Sequence, residues 1–186
     1  MGGYGSGRQG LASPKQTVES CLVLSAARLQ RDRMIVAGRR GTGILTWTRV
    51  RTGEKVAAAG YSVSTLDGEP PTIRLDYTWT RWGEDQGEHM EYPVGLTTTP
   101  LPWGGVRWWF VCPLVRNGVP CGRRVGKLYL PPGARYFGCR HCHGLTYMSC
   151  QESHKFDGLY RMLAAETGTP PAVVKGLLNR RRASAG

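Results

Sequence analysis

The spacing of apolar residues changes period along the chain. Over Thr17–Ile35 (TVESCLVLSAARLQRDRMI), Val18, Cys21, Leu22, Leu24, Leu29 and Met34 recur at spacings that mostly suit one helical face, with Thr17 placed to cap it. The glycines of Val36–Gly43 then break that pattern. From Gly43 to Val111 the period shortens to two: Ile44–Arg51, Lys55–Val63, Thr72–Trp82, Met90–Thr98 and Val106–Val111 are Thr-, Val- and aromatic-rich runs separated by turn residues. Thr72–Trp82 puts Ile73, Leu75, Tyr77 and Trp79 on one face and Arg74, Asp76, Thr78 and Thr80 on the other, as in a half-buried antiparallel strand. Trp47, Trp79 and Trp82 are expected to pack in the sheet, whereas Trp108 and Trp109 must face opposite ways on one strand. Beyond residue 150 the helical period returns in Phe156–Ala165 and Pro171–Arg182, with Thr169 as a cap and Pro170 in the first turn.

The fold class this predicts is α+β: a small antiparallel β-domain with an N-terminal helix, a cysteine ribbon and a short C-terminal helical hairpin. The corresponding domains are a flexible Gly-rich arm (1–16), helix plus β-domain (17–106), ribbon (107–150) and basic helical tail (151–186). No run of about 18 uncharged apolar residues is present. The first ten residues hold one basic residue and no apolar core, unlike a secretory signal, so a reducing cytoplasm is the expected compartment.

That expectation changes how the six cysteines are read, because clustered thiols in a reducing compartment more often hold metal than form disulfides. Cys139-Arg140-His141-Cys142 is a closely spaced pair. Cys112 and Cys121 read as the ends of a second knuckle opened by the insert LVRNGVP. Gly122 and Gly144 suit the left-handed turns that follow knuckle cysteines. The interval Gly122–Gly138 fits a two-pair site and contains strand-like Val125–Leu130 and Arg135–Phe137 around Pro131-Pro132-Gly133. The expectation is one structural Zn²⁺ on Cys112, Cys121, Cys139 and Cys142, with His141 or His143 as substitute ligands. Cys21 reads as a small core residue.

Charge supplies the candidate partner. The chain carries 25 Lys+Arg against 13 Asp+Glu, a formal +12. From Cys112 onward the ratio is 12 basic to 3 acidic residues, or +9. Arg123, Arg124, Lys127, Arg135 and Arg140 interleave with Tyr129, Tyr136, Phe137 and Tyr147 in the ribbon, and Lys175, Arg180, Arg181 and Arg182 cluster at the C-terminus. Basic groups contact phosphates and aromatic faces stack on bases, so these residues are candidates for binding DNA or RNA. A host protein or a nucleoprotein complex is the alternative partner.

Catalytic patterns fare less well. His89-Met90-Glu91 upstream of Cys139-x-x-Cys142 has the residue types of a zinc deaminase, but it would leave Cys112 and Cys121 unused. Glu84, Asp85, Glu88 and Glu91 read as a solvated acidic turn with no second motif to complete a metal site. The expected protein is not an enzyme.

The segments RWWFVCP (107–113), CGRRVGKLYLPPGARYFGCRHCHGLTY (121–147) and SCQES (149–153) resemble small zinc-ribbon proteins of bacterial genomes, prophages and other mobile elements. The likeness extends to GSGR (5–8) and TVESCLVL (17–24). It implies the four zinc ligands and a mobile-element setting, and no activity.

Overall fold

The computed structural model describes residues 15–81, 83, 85–150 and 157–176, which fall into two compact units, Met1–Leu145 and Thr146–Gly186. In the first unit the strands are β1 (Leu22–Ser25), β2 (Arg40–Thr48), β3 (Lys55–Ser64), β4 (Thr72–Trp79), β5 (Glu88–Pro100), β6 (Val106–Val111), β7 (Val115–Arg116), β8 (Val119–Pro120), β9 (Arg124–Val125) and β10 (Lys127–Leu130). Six of them form one antiparallel sheet in the order β2-β3-β4-β5-β6-β9. The sheet curls at β5, whose first half pairs with β4 (Thr72↔Gly95 to Trp79↔Glu88) and whose second half pairs with β6 (Leu96↔Phe110 to Pro100↔Val106). Leu96 marks the switch, donating its N–H to Pro71 O instead of to β4.

The alternation read from the sequence decides which face is inside. Ile73, Leu75 and Tyr77 of β4 are buried, together with Val94, Leu96 and Phe110 of β5 and β6. Trp108 is buried while its neighbour Trp109 is only partly so, as opposite strand faces require. Trp47 stacks on Phe137 at 5.7 Å and donates its indole N–H to Val23 O at 2.8 Å. Trp82 lies outside the described residues.

The N-terminal helix is corrected. Thr17–Ile35 divides into a 3-10 turn (Val18–Ser20), strand β1 and the short helix α1 (Ala26–Arg31). A short apolar run such as Cys21–Leu24 satisfies either period, and the deciding factor is the partner strand β10. There Leu24 pairs with Leu128 and both are buried. Thr17 makes no side-chain cap; Ser25 does, accepting from the Arg28 N–H at 3.4 Å. Cys21 packs against Val18, Tyr129 and Leu145, outside any helix.

Of the three glycines expected to end the first segment, Gly38 turns with φ 70° ahead of β2, whereas Gly41 and Gly43 lie within the strand. A Cβ on Gly43 would come within 2.9 Å of the Tyr61 ring on β3, so the missing side chain is what lets the tyrosine cross it. The boundary expected between 106 and 107 falls inside β6, and the hydrophobic core runs across it from Leu75 to Cys112, Phe137 and Cys139. Arg135–Phe137 is not a strand; its neighbour Gly138 forms only an isolated bridge with Tyr129.

In the second unit, helix α2 (Asp157–Thr167) ends at Gly168, and residues 171–176 are helical. Tyr160, Ala164 and Val174 bury against one another. Pro171, rather than Pro170, takes the first helical position, and the Pro170 carbonyl accepts the Val174 N–H. Thr169 donates its hydroxyl to Thr167 O and does not cap. The remainder of the expected hairpin, including Arg180, Arg181 and Arg182, lies outside the described residues, as does most of the Gly-rich arm. Among the described residues no helix is long and apolar enough to cross a membrane.

Candidate metal centre

Cys112 follows directly on β6, where its N–H donates to Arg123 O at 2.9 Å and continues the ladder toward β9. The insert that follows is a β-hairpin. Val115 pairs with Pro120 and Arg116 with Val119, around a two-residue turn in which Asn117 (φ 51°) and Gly118 (φ 78°) are both left-handed. Asn-Gly is the dipeptide such a turn favours, because its twist matches that of the strands. The hairpin closes with the Cys121 N–H on Leu114 O at 2.8 Å, which returns Cys121 to the side of Cys112. Gly122 then turns with φ 58°.

The second knuckle is anchored by Gly138, which exchanges both backbone hydrogen bonds with Tyr129 at 2.8 and 3.0 Å. A Cβ here would sit 2.1 Å from Leu114 Cδ1 and 2.9 Å from His143 Nε2, so the missing side chain is what lets this bridge lie against the first knuckle. Cys139–Cys142 follows as a tight turn, with the His143 N–H on Cys139 O and Gly144 at φ 62°. The segment before it is held by two tyrosines. Tyr77 OH donates to Arg135 O at 2.5 Å and meets Tyr92 OH at 3.0 Å, while Tyr92 OH accepts the Phe137 N–H at 2.9 Å. Strands β4 and β5 thus set the height at which Cys139 arrives.

The four sulfurs of Cys112, Cys121, Cys139 and Cys142 lie within 4.8 Å of one another, and none is in a disulfide. The pairs Cys112/Cys142 and Cys121/Cys139 are each 3.9 Å apart. Four sulfurs placed about 2.3 Å from a common tetrahedral centre would be about 3.8 Å apart, so the spacing is that of a cage for one ion. Backbone N–H groups point at the sulfurs, from Cys139 to Cys112 Sγ at 3.3 Å and from Cys142 to Cys139 Sγ at 3.4 Å. Burial pushes the Cys112 thiol up, and burial with S–H donation toward Cys121 and Cys139 pushes Cys142 up. Burial would raise Cys121 too, but donation from the Arg123 backbone and the neighbouring thiols holds it below its usual range. A divalent cation would relieve this arrangement by stabilising all four thiolates.

The histidines are not members of the four-sulfur group. His141 is exposed. His143 Nε2 is buried without a hydrogen-bond partner, and burial lowers the imidazole pKa against the opposing pull of the Tyr136 and Tyr129 backbones.

The basic residues singled out in the sequence are dispersed. Arg123 lines a shallow hollow of about 240 Å³ beside Cys121 and Cys142, together with Arg116 and His141. Arg124 instead lies 5.3 Å above the Trp109 ring and donates to Thr99 Oγ1, with Arg107 on the same ring at 4.4 Å. Lys127 is exposed on β10. Arg135 is engaged by Glu88 and by the Trp79 face at 4.8 Å, and Arg140 folds back to donate to Leu145 O. Lys175 belongs to the second unit. Of the aromatic set, Tyr129 and Phe137 are core residues, whereas Tyr136 and Tyr147 are exposed at 42% and 43%. Arg107 and Arg116 are the basic residues that reading by sequence block missed. Strand alternation from Trp109 would have found Arg107, and the Asn117-Gly118 hairpin would have found Arg116.

Compared with known proteins, the chain matches no family model, no curated protein and no solved structure.

Proposed function

We propose that the ion is a structural Zn²⁺ and that the chain is a non-catalytic nucleic-acid-binding protein of phage or mobile-element origin, working in a reducing cytoplasm. An all-sulfur tetrahedral cage suits zinc and leaves no open position for chemistry. The ion would cross-link two knuckles that have little core of their own. The observation that carries the binding role is the hollow at the rim of the cysteine cluster, where Arg116 and Arg123 flank His141 on a surface fixed by the knuckles. Guanidinium groups suit phosphate oxygens. The resemblance of segments 107–113 and 121–147 to mobile-element ribbons supports the biological setting.

The test is anisotropy titration of the metal-loaded chain with labelled single-stranded DNA and RNA over a salt series. In the double variant Arg116→Glu, Arg123→Glu, affinity should drop at least tenfold and the salt slope should fall by about 0.7 for each phosphate contact removed. Unchanged binding and slope would overturn this reading. A protein partner is the second reading, favoured by Val115 and Val119, exposed at 61% and 66% on the same hairpin. A stoichiometric protein complex that survives nuclease treatment would favour it.

A further inference from the structure

One end of the curled sheet holds a cleft of about 530 Å³ between the exit of α1, the start of β2 and the start of β6. Its size is that of a small-molecule site, about 300–1,000 Å³. Ile35, Val63 and Trp108 give it an apolar wall; Arg33, Arg39 and Arg40 stand around it. Among the described residues no acidic side chain lines the cleft. Arg40 is already held by both carboxylate oxygens of Glu69 at 3.2 Å. Arg33 and Arg39 have no ion pair among the described residues.

Two features show that the rim is built. Thr65, the buried polar residue of this unit, accepts the Arg39 N–H at 3.1 Å and directs its own hydroxyl to Val36 O and Arg39 O, while the Thr65 N–H donates to Arg39 O. The backbone that carries Arg39 is therefore fixed from both sides. Arg33 sits just past the end of α1 in the left-handed region (φ 56°), in a turn closed by its N–H on Gln30 O and the Met34 N–H on Leu29 O. That position favours glycine, and a side chain there is disfavoured by about 1–2 kcal/mol. Helix termination alone thus does not account for an arginine.

We infer that this cleft binds a nucleoside phosphate, with Arg33 and Arg39 on the phosphate and the apolar wall against the base or sugar. The ligand is either a free nucleotide or the phosphorylated end of a strand. The inference goes beyond the rim of the cysteine cluster and shares no residue with it.

The experiment is calorimetric titration of the metal-loaded full chain with adenosine 5′-monophosphate, inorganic phosphate, and a single-stranded oligonucleotide with and without a 5′-phosphate. Binding of the monophosphate identifies a free nucleotide as the source; binding confined to the 5′-phosphorylated oligonucleotide identifies a strand end. In either case Arg39→Gln should weaken binding about 10- to 100-fold, the loss expected for one charge-assisted contact. Arg33→Gly should weaken it similarly while leaving the thermal midpoint unchanged or higher, because glycine relieves the left-handed backbone. The Arg116→Glu, Arg123→Glu variant should keep this binding, which separates the cleft from the reading above. The inference is overturned if neither phosphorylated ligand binds, if inorganic phosphate binds as tightly, or if both cleft variants bind like the parent chain.

Discussion

Strands β2 to β6 and the segment from Cys112 to Leu145 are held together by different physics. In the sheet, Ile73, Leu75, Val94 and Phe110 are fully buried, and long strands supply a ladder of hydrogen bonds. In the cysteine segment, β7, β8 and β9 have two residues each, and Val115 and Val119 face solvent. Such a hairpin buries too little apolar surface to offset the entropy of ordering it. Its fixed points are Gly138 against Leu114, the tyrosine pair above Phe137, and four sulfurs in one cage. The β7–β8 hairpin adds nothing to the core that Leu128 and Phe137 join, and the converging cysteines hold it instead.

That comparison breaks most visibly when the proposed Zn²⁺ is loaded and then removed. Chelation, or Cys139→Ser, should take the chain from one bound metal to none by elemental mass spectrometry. Hydrogen-exchange protection should then collapse over 112–145 while β3 and β4 stay protected. Structural zinc in small modules contributes roughly 10–16 kcal/mol of apparent binding free energy, so this is the largest effect expected. Uniform loss of protection would mean that the two regions are one cooperative unit.

Leu75→Ala probes the other side. Leu75 is fully buried, and its truncation should cost about 2–5 kcal/mol in urea denaturation while leaving one metal per chain. Loss of metal in this variant would show that the cage depends on the sheet core as a whole.

Tyr92→Phe tests the link between the two regions and should be the mildest. It leaves the Phe137 N–H and Tyr77 OH short of a partner, a loss of about 1–2 kcal/mol. The same pair sets a pH dependence. Burial pushes both Tyr77 and Tyr92 above the usual tyrosine range, so the folded state favours the protonated phenols. Their contribution is fully present below about pH 10 and is lost as pH rises above it. In Tyr92→Phe the alkaline decline measured by chemical denaturation should be shallower; an unchanged profile would remove the pair from the account.

Much of the sheet was legible because alternation is a local signal. The strand expected over Thr72–Trp82 runs Thr72–Trp79, Val106–Val111 appears where periodicity places it, and Ile73, Leu75 and Tyr77 face inward as expected. The cysteine spacing likewise brought all four sulfurs together. The N-terminal segment was not legible, since Leu22 and Leu24 fit a helix or a strand equally until their partners Leu130 and Leu128 on the distant strand β10 are known. Nor was the dispersal of the basic residues: sequence proximity groups Arg123 with Arg124, whereas one lines the hollow and the other covers Trp109.

By itself the sequence determined what short-range chemistry can specify: strand alternation, the turns at Gly122 and Gly144, the four thiols and the basic balance. Tertiary structure decided the rest: that β1 is a strand, that β5 switches partners at Leu96, that Glu88 and Trp79 engage Arg135, and that Arg33 and Arg39 meet at one cleft. The physical reason is that these outcomes depend on which distant groups satisfy a hydrogen bond, a charge or an apolar face, and no local pattern encodes the partner.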